Sequence, residues 1–326
     1  MNAWAVWSPC TPARCVAHAA ARVPAGAALR RSAAFGRAVA RAFASGDRIA
    51  EPEALRAHAR ALLDAVGVRL EAAPRAGQDV RPGVWPDVRP GARAQAHPGA
   101  RPEVRAEAWP AVRADARGGT APRDPAGRTP AGWAPDGRDS AGPGTLVVAN
   151  HISWLDIVAL LAVEPVTMLA KREVAGWPVV GRLTRRAGTL FIDRDRLRGL
   201  PETVAELSAR LRAGQSVAVF PQGVTWCSGA AGRFRRAAFQ AALDAGAPVR
   251  PVTLGYYQHG TASTVAAFVG EDGFASSLRR VLGADGLTVR VTVHEPVLAA
   301  RGADDRRALA ARAQAVVGGA RLPVHG

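Results

Sequence analysis

Apolar positions follow two alternating periodicities along the second half of the chain. Short continuous apolar runs predict buried strands at 145–149, 166–170, 189–192, 216–220, 249–256 and 287–294. Between them, apolar residues recur at helical spacing and predict helices at 154–163, 177–187, 201–213, 232–245, 273–283 and 303–317. Strands that alternate with helices are typical of an α/β fold, so we expect a mixed, mainly parallel sheet flanked by helices.

The first half of the chain has a different pattern. Residues 27–44 place apolar positions at helical spacing between arginines, and residues 1–46 contain no acidic residue. This predicts a basic amphipathic helix, which lies either on an anionic membrane surface or against the domain with its basic face in solvent. A second helix is predicted at 51–65, with Pro52 in its first turn. The alternating residues 66–72 predict a first strand.

A Pro-, Gly-, Ala- and Arg-rich stretch then interrupts the pattern at 74–144. Such a composition buries too little apolar surface to order itself, so we expect a disordered insertion. The predicted organisation is therefore N-terminal basic helices and a first strand in 1–73, the insertion in 74–144, and the main domain in 145–326.

The formal net charge is +16, and Lys171 is the only lysine among the 43 basic residues. The chain has no nucleic-acid recognition motif, and its aromatic residues are not interleaved with the basic runs, so nucleic acid is not an expected partner. Cys10, Cys15 and Cys227 are odd in number and lack metal-type spacing, and the seven histidines are scattered. We therefore expect no metal site.

One histidine and one aspartate lie where a predicted strand turns into a helix. His151 follows the apolar run 146–149, and Asp156 lies five positions later, in the first turn of the next helix. A carboxylate that accepts a hydrogen bond from one imidazole nitrogen fixes the tautomer and leaves the other nitrogen as a base. The alternative is a purely local role, with the histidine as a cap and the aspartate favoured by the helix dipole.

Three further segments occur in order after this pair: Gly188-Thr189-Leu190-Phe191-Ile192-Asp193-Arg194, Phe220-Pro221-Gln222-Gly223-Val224-Thr225 and Val249-Arg250-Pro251-Val252-Thr253-Leu254. Together with His151 and Asp156 they resemble the four sequence blocks of the lysophosphatidic-acid acyltransferase family. The resemblance covers about residues 145–297. It implies a glycerolipid acyltransferase-like fold and the transfer of a fatty acyl group from acyl-CoA or acyl carrier protein to the hydroxyl of a lysophospholipid.

The resemblance also implies roles for individual residues. His151 would be the general base, oriented by Asp156. Arg194 would bind the acceptor phosphate, with Arg196 as a second candidate, although both also fit a solvated charged loop. Lys171 would help to hold phosphate, donor or loop.

The remaining implications concern the third block and the partners. Gly223 and the amides near it could bind an anion, and Thr225 belongs to the same binding block. We expect no cofactor beyond the thioester co-substrate, and we expect a peripheral enzyme on the anionic, cytoplasmic face of the cell membrane. Ser153 is more consistent with a cap or turn than with a nucleophile.

The third block departs from the family pattern. Gln222 stands where the family has Glu, Val224 intrudes before Thr225, and Trp226 replaces the Arg that often follows. Glutamine keeps hydrogen bonds but not charge. Members that acylate lyso-ornithine lipid tend to lack that Arg as well. The leading acceptor is 1-acyl-sn-glycerol-3-phosphate. The alternatives are another lyso-lipid, such as lyso-ornithine lipid, or a non-catalytic lipid-binding relative.

Overall fold

The computed structural model describes residues 7–16, 20–74, 142–193, 197–228, 232–299 and 304–319. The predicted insertion at 74–144 lies outside these residues, apart from its ends. The described strands are β1 (Arg69–Pro74), β2 (Leu146–Ala149), β3 (Thr167–Lys171), β4 (Leu190–Ile192), β5 (Val217–Val219), β6 (Val249–Gln258), β7 (Thr261–Ala262) and β8 (Leu287–Val293). The described helices are α1 (Pro12–Cys15), α2 (Ala25–Ala44), α3 (Pro52–Val66), α4 (Leu155–Val163), α5 (Arg172–Ala175), α6 (Val180–Arg186), α7 (Leu200–Arg212), α8 (Ala237–Ala245), α9 (Phe274–Gly283) and α10 (Arg306–Gly319).

The strands form one mixed sheet. Its order is β1-β8-β6-β2-β5-β3-β4, and β7 pairs with β6. The five strands from β6 to β4 are mutually parallel, whereas β8 runs antiparallel to β6 and β1 runs parallel to β8. The predicted mixed, mainly parallel sheet flanked by helices is confirmed.

Alternation along β2 explains the two helical layers. Val147 and Ala149 belong to a core cluster that includes residues of α3, α4 and α9, whereas Leu146 and Val148 belong to a second cluster with residues of α7, α8 and α10. Successive strand residues point to opposite faces, so a strand buried on both faces is a continuous apolar run. The sheet therefore lies between two layers of helices.

The N-terminal helices pack onto this same sheet. Arg31 of α2 donates hydrogen bonds to the carbonyls of Leu282 and Ala284 at the end of α9, and Arg60 of α3 donates to the carbonyl of Ala162. All the described residues lie in a single compact unit. Among the helices that the structure describes, none combines the length and the hydropathy needed to cross a bilayer.

Some predicted boundaries differ from the structure. The predicted helix 177–187 begins only at Val180, as α6, because Pro178 has no N–H to donate and disfavours the helical conformation of Trp177 before it. The short helix α5, which ends at Ala175, was not predicted. The predicted strand 66–72 begins only at Arg69. Helix α3 continues to Val66, and Gly67 ends it in the left-handed conformation, with φ of 74°.

The register of the sheet gives the distance that any replacement for the 74–144 segment must span. Pro74 is level with Val293, Val293 with Val252, and Val252 with Ala149. The end of β1 is thus level with the end of β2, and the start of β2, Leu146, lies three strand spacings and three residues away from Pro74. At about 4.8 Å per strand and about 3.3 Å per residue, this separation is about 17 Å.

We predict that replacing residues 76–142 with a Gly/Ser linker of about ten residues preserves the fold, because such a linker spans about 17 Å. The measurement is the unfolding midpoint of purified protein together with acyl transfer. In the matched control, the same linker is inserted within the segment 76–142 and no residue is deleted. If the deletion variant is insoluble while the control folds, the removed residues belong to the domain.

Candidate active site

The carboxyl ends of two neighbouring strands bring two sequence blocks together. His151 follows β2, and Gln222 follows β5, which pairs with β2 in parallel. The backbone N–H of His151 donates to Oε1 of Gln222 at 2.6 Å. Parallel sheets gather functional groups at this edge. The first and third blocks, 71 residues apart, therefore meet directly.

Asp156 is the most heavily bonded side chain of the site. It is fully buried, and its Oδ2 accepts hydrogen bonds from the backbone N–H groups of Ile152 at 2.6 Å and Ser153 at 2.8 Å. The same oxygen lies 2.8 Å from Nδ1 of His151, and the hydroxyl of Tyr256 donates to Oδ1 at 2.6 Å. A buried carboxylate needs such donors, because burial without them costs several kcal/mol.

The imidazole of His151 is fixed in plane and in tautomer. Its ring stacks on Phe220, with centroids 4.0 Å apart and an interplanar angle of 13°. A carboxylate only accepts hydrogen bonds, so Nδ1 carries the proton. Within the described residues Nε2 has no hydrogen-bond partner, and the side chain is 19% exposed. With the proton on Nδ1, the ring keeps its lone pair on Nε2, which is the nitrogen that can accept a proton.

The backbone on either side of His151 is also held. The carbonyl of His151 accepts from the N–H of Trp226 at 2.8 Å. The fully buried side-chain amide of Asn150 donates to the carbonyl of Leu254 and accepts from its N–H, at 2.9 and 2.8 Å. Asn150 thus extends the pairing of β2 with β6 beyond the end of the strand. The turn between β2 and α4 is anchored to both neighbouring strands.

The middle part of the chain is similar in sequence to known acyltransferases. Residues 135–255 match the acyltransferase family model. The chain carries a domain of the acyltransferase family. Over 148 residues it is 39% identical to the 1-acyl-sn-glycerol-3-phosphate acyltransferase of Neisseria meningitidis, which covers 45% of this chain and 58% of that protein. Over 174 residues it is 38% identical to the lyso-ornithine lipid O-acyltransferase of Pseudomonas aeruginosa, which covers 53% of this chain and 66% of that protein.

The chain thus spans somewhat under two thirds of the length of these two acyltransferases. A solved structure, the 1-acyl-sn-glycerophosphate acyltransferase of Thermotoga maritima, aligns with 54% of this chain and 64% of that chain. The sequence identity is 23% and the TM-score is 0.41.

Three other residues, which were predicted to bind substrate, make hydrogen bonds or ion pairs within the fold. Lys171 pairs with Glu173, with Nζ and Oε1 2.6 Å apart, and is about half exposed at the end of β3, two strands from β2. The hydroxyl of Thr225 donates to the carbonyl of Phe268. The N–H of Gly223 donates to the carbonyl of Phe220 at 3.0 Å. This hydrogen bond closes a turn after β5.

The remaining predicted residues divide into two groups. Arg194 and Arg196, the predicted phosphate ligands, lie outside the described residues, which end at Asp193 on this side. Ser153 is fully buried, and its hydroxyl accepts from the N–H of Leu155 at 3.3 Å. The prediction that Ser153 has a turn role is confirmed.

Tyr256 has no counterpart in the sequence interpretation. Burial raises the pKa of Tyr256 well above its ordinary value, and the charge of Asp156 raises it further. The phenol is therefore a neutral donor throughout the physiological range. The available signal was the spacing of two between Leu254 and Tyr256, which places both on one face of β6, but that spacing does not name Asp156 as the partner.

We predict that Tyr256→Phe retains the fold but loses about 1–3 kcal/mol of stability, because Oδ1 of the buried Asp156 loses its donor. The rate of acyl transfer should fall with little change in the KM of the acceptor, since the variant loosens the base and not the binding groups. Urea unfolding and steady-state kinetics measure the two effects.

The matched control for this variant is Tyr257→Phe. Its ring lies 4.5 Å from the guanidinium of Arg290, on the other face of the strand. Equal losses in both variants would mean that Tyr256 acts only through general packing of β6.

Proposed function

We propose that this protein is an O-acyltransferase that moves a fatty acyl group from a thioester to the free hydroxyl of a lysophospholipid. The observation that carries the proposal is the imidazole of His151, whose Nδ1 is bound by Asp156 and whose Nε2 is left as a base, in an acyltransferase-family domain.

In the proposed reaction the acceptor hydroxyl lies within hydrogen-bond reach of Nε2 of His151. Nε2 takes the hydroxyl proton while the oxygen attacks the thioester carbonyl carbon, which forms the new C–O bond. The imidazolium is stabilised by Asp156. Collapse of the tetrahedral intermediate breaks the C–S bond, and the proton on Nε2 passes to the departing thiolate. The protein needs no nucleophile of its own, which agrees with the buried turn role of Ser153.

The cationic side chains that would contact the acceptor decide which head group is bound. We propose 1-acyl-sn-glycerol-3-phosphate as the leading acceptor, with Arg194 and Arg196 as phosphate ligands. The second candidate is lyso-ornithine lipid. A specific feature favours it: position 226 is a partly buried Trp packed on the core, so the turn after β5 presents no guanidinium there. The proposed donors are acyl-CoA or acyl carrier protein, both anionic, and the net charge of +16 favours either.

A head-group screen tests the proposed function. Purified protein is incubated with acyl-CoA or acyl carrier protein and a panel that includes lysophosphatidic acid, lyso-ornithine lipid and a zwitterionic lysophospholipid. Mass spectrometry measures the acylated products. We expect one class of acceptor to dominate. Lipid binding without product for any acceptor would favour a non-catalytic lipid-binding protein.

We predict that His151→Ala lowers the rate of acyl transfer by about 10²–10⁴-fold while the fold survives, because the general base is lost. The control is His259→Asn, which replaces an exposed histidine that lies 3.3 Å from Asp285. The circular dichroism spectra of both variants should match the parent. A His151→Ala rate within a few-fold of the His259→Asn rate would exclude this mechanism.

We predict that Gln222→Glu shifts acceptor preference away from phosphate-bearing lipids, because a carboxylate would compete for the cations that hold phosphate. Gln222→Leu should instead lower the rate for every acceptor, since the N–H of His151 loses its partner. The measurement is the ratio of kcat/KM for lysophosphatidic acid to that for a zwitterionic acceptor. An unchanged ratio in the Glu variant would leave Gln222 with a structural role only.

We predict that the protein binds anionic vesicles through the outer face of α2. Arg30, Arg37 and Arg41 are exposed at positions i, i+7 and i+11, which form one stripe along the helix. Each arginine near an anionic surface contributes about 1 kcal/mol. Replacing the three with Gln should weaken vesicle binding strongly, and high salt should do the same.

The matched control replaces three other exposed arginines, Arg198, Arg233 and Arg306, with Gln, which gives the same change in net charge. Vesicle sedimentation measures both triple variants. Equal weakening would mean that net charge alone, and not the α2 stripe, sets membrane affinity.

A further inference from the structure

The three cysteines of the chain meet in space. Their sulfur atoms all lie within 4.8 Å of one another, although Cys227 is more than 200 residues from Cys10 and Cys15. The Sγ atoms of Cys10 and Cys227 are 3.4 Å apart, and none of the three is in a disulfide. The expectation of no metal site rested on spacing along the chain, which does not record this contact.

The separations fit a single thiophilic cation. A zinc ion binds thiolates at about 2.3 Å in a tetrahedron, which places neighbouring sulfurs about 3.8 Å apart. The sulfurs of Cys10 and Cys227 are 3.4 Å apart and all three lie within 4.8 Å of one another, so small shifts bring them to that spacing. Three sulfurs converge, whereas a disulfide needs two at about 2.0 Å and would leave the third unused. The cluster therefore matches a three-thiolate ligand set better than a disulfide.

The surroundings favour bound thiolates. The backbone N–H of Cys227 points at Sγ of Cys10, with N and S 3.4 Å apart. Amide hydrogen bonds to sulfur are a common feature of metal–thiolate sites, where they offset the charge of the ligand. Cys10 is only 7% exposed and belongs to the apolar core cluster, and Cys15 and Cys227 pack against that cluster. The low-polarity shell limits access by solvent.

We propose that Cys10, Cys15 and Cys227 form a binding site for a thiophilic d¹⁰ cation of the Zn²⁺ type. Three thiolates fill three positions of the tetrahedron, and water or another small ligand fills the fourth. The site is separate from the proposed acyl-transfer chemistry, and its existence does not depend on that function.

The position of the site gives the ion a structural consequence. Cys227 directly follows Trp226, whose N–H donates to the carbonyl of His151. Cys10 and Cys15 lie far from Cys227 in the sequence, on the segment around α1. A bound ion would clamp that segment to the turn that holds the backbone of His151. Loading the site should therefore stabilise the fold against heat.

The test uses the full chain, reduced with a phosphine and desalted without oxygen. Cd²⁺ is titrated while the ultraviolet sulfur-to-metal charge-transfer band is recorded, and Zn²⁺ affinity is measured by competition with a chromophoric chelator. We expect one equivalent of metal bound. Each of Cys10→Ser, Cys15→Ser and Cys227→Ser should lower the band by about a third. Each should also weaken Zn²⁺ binding by more than about 10–100-fold, the loss typical of an outer-shell partner.

Thermal unfolding with and without Zn²⁺ keeps the proposal testable if one variant folds poorly. The parent should gain several degrees, which a chelator reverses, and Cys15→Ser, at a partly exposed position, should not. His259→Asn is the control for adventitious surface binding and should behave as the parent. Binding that persists in all three Ser variants, or a Cys10–Cys227 disulfide that forms in a protein with no Zn²⁺ affinity, would overturn the proposal.

Discussion

The carboxylate of Asp156 is the constraint on which the rest of the site depends. A fully buried carboxylate is tolerated only when its oxygens are satisfied by donors, and Asp156 has four: two backbone amides, one imidazole and one phenol. The two amides belong to Ile152 and Ser153, so the turn that follows β2 must curl around the carboxylate. That curl places His151 over the same oxygen. The spacing between His151 and Asp156 is thus the length of chain that brings the imidazole and both backbone amides to one buried carboxylate.

The strands on either side of β2 provide the remaining contacts to His151 and Asp156. Tyr256 comes from β6 on one side of β2, and Phe220 and Gln222 come from the end of β5 on the other side. Asn150 ties the end of β2 to Leu254 of β6. The imidazole therefore has its ring plane set by one neighbouring strand and its acidic partner set by the other. In the proposed reaction, an imidazole held in this way loses little entropy when it binds a hydroxyl, which favours fast proton transfer.

Sequence patterns predicted the local part of this arrangement. The described strands other than β7, most helices and the His151–Asp156 pair follow from periodicity and short-range spacing, which the chain carries within a few residues. The roles of Phe220 and Tyr256 were missed, because they depend on which strands become neighbours. The cysteine cluster was missed for the same reason, since it joins residues near one terminus to residue 227. The late start of α6, after Pro178, had a local signal that the helical periodicity outweighed.

At the contact between Gln222 and His151, the geometry of the hydrogen bond does not depend on whether the accepting side chain is charged. The backbone N–H of His151 needs an oxygen acceptor at 2.6 Å, and an amide oxygen provides it as well as a carboxylate does. Replacing the family's Glu by Gln therefore leaves the frame of His151 intact. It removes one negative charge from an edge where Asp156 already contributes one. Among the groups that contact His151, Asp156 then carries the negative charge. In the proposed enzyme, this substitution can therefore change the choice of acceptor through charge alone, without any movement of His151.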